Sequence, residues 1–188
     1  MKTVKQISVL VFLCVIALAC GENKTSDKVE APKKALHEAT FFGDLESVKQ
    51  HIAYGTDLNQ KDDYGSTALI TAITFGKNDI AKELIEGGSD LTIATLDGST
   101  PLHAAALYGR VDIVRLLIEK GAVLDVKNSY QSTPAMIVSA PFDQMKPVYD
   151  QLSRDLGPMG FKLDYDQLQK DRETVAQILG EALQSQNQ

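Results

Sequence analysis

The sequence predicts an all-α fold: a solenoid of stacked helix-turn-helix units closed by a C-terminal capping helix. Three observations point there. The chain repeats itself at an interval of 33 residues in five separate registers. Within the interval, apolar residues recur at helical spacing and glycine interrupts them at two fixed places. The last stretch sets Leu168, Val175, Ile178, Leu179 and Leu183 on one helical face, with Gln167, Lys170, Asp171, Arg172, Glu173 and Gln177 on the polar one. An open stack needs an end element with one wet face.

Ahead of the repeats, Lys2 and Lys5 precede an apolar run from Ile7 to Ala19, the pattern of an export signal over residues 1–19. The run is too short for a helix to span a bilayer, which takes about 20 residues. It ends in Ala17-Leu18-Ala19-Cys20-Gly21. This resembles the lipobox of bacterial lipoproteins, in which cleavage before the cysteine leaves it as an acylated first residue. The large aliphatic residue usual three places before the cysteine is here Ala17, with Leu18 beside it. The resemblance implies lipidation at Cys20 and a place in the bacterial cell envelope, anchored by lipid and facing the periplasm. A secreted or soluble periplasmic protein is the other reading.

Cys14 falls inside the removed run, so Cys20 has no partner for a disulfide, and acylation would consume its lone thiol. Residues 20–33 are polar and charged and read as a flexible tether, with a coil reach on the order of 20 Å. Loss of Lys2 and Lys5 takes the formal net charge from −6 to −8, and no cluster of Lys and Arg follows residue 34. Nucleic acid is therefore excluded as a ligand class.

The five registers are Ser66-Thr67, Ser99-Thr100 and Ser132-Thr133; Gly43, Gly76 and Gly109; Gly55, Gly88 and Gly121; Leu36, Leu69 and Leu102; and Val48, Ala81 and Val114. They divide residues 34–157 into units 34–65, 66–98, 99–131 and a degenerate 132–157, followed by a helical cap over 158–188. Each signal has a local cause. Pro101 suits the first turn of a helix, where its missing N–H is no loss. Alanines 104 to 106 keep that helix thin enough for a neighbour to approach. Gly109 can take the left-handed conformation that lets the chain reverse. Val111, Ile113, Val114, Leu116, Leu117 and Ile118 form the wide apolar face of a second helix, Gly121 ends it, and Asp97-Gly98 supplies a tight turn. One such helix pair cannot bury its own apolar faces, so neighbours must stack. The fourth unit departs early: Ala135 replaces the leucine, Met136 the histidine and Phe142 the turn glycine, and Pro141 and Pro147 interrupt it. Its second helix is expected to be displaced or lengthened toward Leu156. After the Gly157-Pro158-Met159-Gly160 break, Asp164 or Asp166 can cap the last helix.

The run from Gly98 to Gly121 contains Thr100-Pro101-Leu102-His103, the Ala105-Ala106 pair, Gly109 and Leu116-Leu117. It resembles an ankyrin repeat, and the resemblance covers about residues 34–140. It implies a binding scaffold whose partners dock on the concave side, built from loop tips and the exposed edge of the first helices. It also implies that His37 and His103, which share one slot, tie loop backbone by hydrogen bonds. The register then gives Phe41-Phe42, Thr74-Phe75 and Leu107-Tyr108 before the turn glycines, and Asp63-Tyr64, Leu96-Asp97 and Ser129-Tyr130 at the tips. The candidate contact residues are Phe42, Tyr64, Phe75, Leu96, Leu107, Tyr108 and Tyr130, with Asp63 and Asp97. Aromatic anchors bury large area at low entropic cost. Phe42, Phe75 and Tyr108 either meet a partner or stack as an internal ladder; both readings stay open. Lys61, Asp63, Asp97 and Lys127 form a mixed-charge rim.

No HExxH, CxxC, GxSxG or phosphate-loop pattern is present, so no enzyme, cofactor or metal site is expected. His51 is expected on the second helix of the first unit, partly exposed. Asp62-Asp63 and Asp164 with Asp166 lack the alternating carboxylates of a calcium loop. The function expected is an exported, membrane-tethered, monomeric module that binds a periplasmic or envelope protein on its concave face. The alternatives are an immunity or inhibitor protein against an envelope-acting toxin or enzyme, and an accessory factor for a periplasmic stress enzyme.

Overall fold

A computed structural model describes residues 30–186. The expected export signal, Cys20 and most of the tether lie outside the described residues. Helix pairs follow one another along the chain: α1 (Leu36–Phe42) with α2 (Leu45–Tyr54), α3 (Ala68–Thr74) with α4 (Asn78–Glu86), and α5 (Pro101–Leu107) with α6 (Val111–Glu119). Then come α7 (Pro134–Ser139), α8 (Phe142–Leu156), a single 3-10 turn (Gly157–Met159) and α9 (Tyr165–Gln186).

The threonines of the repeated Ser-Thr pair start the first helix of their units. Thr67 Oγ1 accepts from the Ile70 N–H, and Thr133 Oγ1 from that of Met136, which satisfies donors a helix start leaves open. Between first and second helix the glycine is needed twice over. Gly76 and Gly109 have φ of +66° and +62°, and a Cβ there would lie 3.0 Å from the Arg110 guanidinium and from Leu168 and Asp171, respectively.

The first helices pack in one layer, α1 on α3 on α5 on α7, and the second helices in another, α2 on α4 on α6. Between them runs one core, with Val48, Leu69, Ile73, Leu84, Leu102, Ile113, Leu117, Val175 and Leu179 fully enclosed. Each such aliphatic side chain contributes about 1.5–3 kcal/mol by leaving water.

Beyond α7 the pattern changes. Phe142 holds the place of the turn glycine, and Ala140 and Pro141 are extended, with ψ of 138° at both. Without a left-handed residue the chain cannot fold back, and α8 leaves the outer layer. Its place beside α6 and α7 is taken by α9. Arg172 of α9, 3% exposed, donates from Nη2 to the carbonyls of Ile137, Val138 and Ala140 at 3.0, 3.2 and 2.7 Å. A cation at a helix C-terminus meets the negative end of the dipole, and these bonds offset the cost of burying it. Arg110 does the same for α3, donating to Ile73 and Thr74 carbonyls at 3.1 and 3.3 Å.

His51 departs from expectation. It is buried, with Nε2 donating to the Lys34 carbonyl at 2.8 Å and Nδ1 3.0 Å from Thr56 Oγ1. The residues leading into α1 lie across it and remove it from solvent.

Candidate functional site: the concave face

Each loop tip is a tight turn organised by the residue at positions 62, 95 and 128. Asp62 Oδ1 accepts from the N–H groups of Tyr64 and Ser66, and Asn128 Oδ1 from those of Tyr130 and Ser132. In the middle tip Thr95 donates to Asp97, which also accepts from the Ser99 N–H. Burial pushes the Asp97 carboxyl up, yet the donors of Thr95 and Ser99 together hold it below the usual carboxylate range.

Bonds between neighbouring units brace the tips. Lys61 Nζ donates to the Ala94 carbonyl at 2.6 Å, and the Ser129 N–H to that of Asp97 at 2.8 Å. His37 Nε2 reaches the Gln60 carbonyl at 3.0 Å. His103 Nδ1 accepts from the Thr100 N–H at 3.1 Å, so its proton sits on Nε2, which donates to the Ser132 carbonyl at 3.0 Å. Burial lowers the pKa of this ring from the ordinary histidine value. Both histidines thus tie loop backbone.

From this platform Tyr64, Leu96 and Tyr130 project into solvent at 80%, 81% and 74% exposure. Asp63 is exposed beside them. Phe42, 72% exposed, stands at the far end of the first-helix row, edge-on to Phe41. The other three candidates lie differently. Phe75 is half-buried and Tyr108 is buried, because Phe161 packs between them with ring centroids 6.4 and 5.5 Å away. The aromatic ladder is real but runs Phe42, Phe41, Phe75, Phe161, Tyr108. Its fourth member comes from the tail, not from the repeat register. Burial pushes the Tyr108 phenol up to about 12. The Leu107 carbonyl accepts from the Tyr149 hydroxyl at 2.8 Å, so α8 lies over the end of α5.

Between α8 and the concave ends of α3, α5 and α7 an apolar groove of about 850 Å³ remains. Its α8 wall consists of Met145, Val148, Leu152 and Leu156. Sequence reasoning passed over these residues, although their 3-4-4 spacing marks a helical stripe. Among the described residues, no group of His, Cys, Asp and Glu is placed to hold a metal ion.

A two-layer stack of short helices with braced tips and an apolar concave side defines a helical-repeat binding scaffold. A family profile for ankyrin repeats, in three copies, matches residues 36–128. The chain belongs to the ankyrin repeat family. Repeats of this family serve as protein–protein interaction modules and are typically non-catalytic. A comparison with curated proteins gave no match.

Proposed function

We propose that this chain is an exported module, tethered to the bacterial envelope by lipid on Cys20, that holds a periplasmic or envelope protein on its concave face. The exposed row of Tyr64, Leu96 and Tyr130 on braced tips carries this reading. Large apolar side chains held in water on a rigid frame suit a partner that desolvates them, because little conformational entropy remains to be lost on binding. Phe42 and Asp63 extend the same surface, while Asp97 sets the turn that presents Leu96. Phe75, Leu107 and Tyr108 lie beneath α8 and the segment carrying Phe161. Export and tethering are supported by Lys2, Lys5, the Ile7–Ala19 run and the lipobox resemblance at Cys20.

The test is capture from native envelope extract with residues 21–188, beside a Tyr64→Ala, Leu96→Ala, Tyr130→Ala variant whose fold is verified by circular dichroism. A protein retained by the first and lost from the second is expected. Equal retention by both would move the site elsewhere, and no retention by either would sink the interaction. Labelled palmitate should enter the full chain in cells and not its Cys20→Ser variant; no incorporation would leave a secreted protein.

A further inference from the structure

We propose that the groove between α8 and the concave face receives the apolar side of an amphipathic helix with basic flanks, supplied by the partner protein; the proposal rests on the interaction reading above. The first argument is that α8 has two apolar sides and the chain covers one. Phe142 stacks on Tyr149, Tyr165 meets both rings, and Tyr149 is completely buried. The opposite stripe, Met145, Val148, Leu152 and Leu156, faces the groove. Across it stand Phe75, Leu107 and Ile137. Two apolar walls facing each other across open space leave hydrocarbon in water that a third apolar element would cover. The exposure is concentrated here: of nine large hydrophobic side chains exposed among the described residues, five line this groove.

The second argument concerns backbone. The carbonyls of Thr74 and Leu107, which end α3 and α5 where they line the groove, are already engaged, by Arg110 and by Tyr149 respectively. An extended peptide would bury its own amides against walls that offer few partners. A helix brings its backbone bonds with it, and helical walls accept a helix by ordinary ridge packing. At one edge α8 is fastened to this surface through Tyr149, and the groove continues from that contact out to Tyr64 and Tyr130. Met136, Met145 and Met159 supply adaptable side chains along its length.

The third argument is charge. The carboxylates lining the groove are Asp62 and Asp97, and no Lys or Arg lines it among the described residues. Lys or Arg beside the apolar stripe of the incoming helix would therefore be favoured, and Glu or Asp disfavoured.

The test uses labelled, hydrocarbon-stapled helical peptides of fifteen residues and a fluorescent sixteen-carbon fatty acid on the protein lacking residues 1–20. One peptide carries leucines in a 3-4-4 stripe with lysine flanks, a second has the same composition with leucines scattered around the helix, and a third has glutamate flanks. The stripe peptide should bind at least tenfold tighter than the scattered one and several-fold tighter than the acidic one. Met136→Lys and Val148→Lys, at half-exposed positions with melting temperatures checked, should abolish the difference. Equal binding of stripe and scattered peptides, unchanged binding by both variants, or binding of the fatty acid alone would overturn the proposal. Envelope capture that survives Val148→Lys but fails in the tip variant would leave the interaction reading standing and remove the groove from it.

Discussion

The buried Arg172 guanidinium donates to the Tyr149 hydroxyl oxygen at 2.7 Å, and that hydroxyl in turn donates a hydrogen bond to the Leu107 carbonyl at 2.8 Å. Three helices are joined by this relay, α9 through α8 to α5. The Arg172 cation also lies 5.7 Å from the centre of the Tyr149 ring. Tyr149→Phe keeps the stack on Phe142 and removes both bonds. An unsatisfied buried donor and acceptor cost about 1–3 kcal/mol, so urea unfolding should shift by that amount. Amide exchange in α8 should quicken while α3 keeps its protection; unchanged exchange in α8 would mean that the relay does not hold it.

Phe161 covers Phe75 and Tyr108, and its loss should be felt in two ways. Removal of a buried phenyl costs about 3–5 kcal/mol. It also lets water reach Tyr108, whose phenol is held up at about 12 chiefly by burial. Spectrophotometric titration of Phe161→Ala should therefore show one tyrosine moving down toward the ordinary value near 10. A titration identical to the parent's would mean that another group shields Tyr108.

Leu102, 1% exposed, stands in the middle of the stacked first helices. A carboxylate placed there has no cation to pair with, and several kcal/mol of burial cost is comparable to a small domain's whole stability. Leu102→Asp should abolish cooperative unfolding, whereas Tyr64→Ala, at a tip 80% exposed, should leave the melting temperature within a degree or two of the parent's. A Leu102→Asp protein that melts normally would overturn the register on which the fold assignment rests.

Gln131 adopts φ of +58°, where the equivalent places in the two preceding units hold Gly65 and Gly98 at +75° and +78°. A side chain in this region costs about 1–2 kcal/mol, against about 0.5–1 kcal/mol of extra entropy lost by glycine. Gln131→Gly should accordingly stabilise the fourth tip, with a gain of up to about 1 kcal/mol in denaturant unfolding. A loss instead would show that the Gln131 side chain makes contacts outweighing its backbone strain.

The three regular units could be read from sequence because their signals are local. Thr67 caps its own helix, Gly76 turns its own pair, and the tips follow from a 33-residue count. The concave side was only half legible, and for a physical reason. Phe42, Phe75 and Tyr108 share a register, yet Phe161 covers two of them from a segment with no register at all. Phe142 in a glycine's place says that the chain does not reverse there. It does not say that α8 will form a wall of the groove or that α9 will complete the outer layer, because those outcomes depend on long-range partners such as Tyr149 with Leu107 and Arg172 with Ala140. His51 lies on the second helix of its unit as expected, but its burial was not legible for the same reason, its cover coming from Lys34.

The bonding of His103 also fixes how the fold responds to acid. Its Nδ1 already accepts from the Thr100 N–H, so a second ring proton would break that bond and bury a charge. Burial accordingly lowers its folded pKa below the unfolded value of 6.5. The unfolded chain then binds more protons than the folded one, and stability falls as pH drops from about 6.5 to the folded pKa, below which the loss is complete. Asp44 gives a separate, lower window. Its carboxyl is held at about 2 by Lys34, with help from Ser47, and its contribution, present above the ordinary value of 3.8, is lost as pH falls through 2. Melting temperature plotted against pH should thus decline below neutrality and again in strong acid. His103→Gln, which cannot take up a proton, should flatten the first decline and leave the second. A first decline of undiminished slope in His103→Gln would assign it to another group, and the neutral His103 would then be a bystander in the acid response.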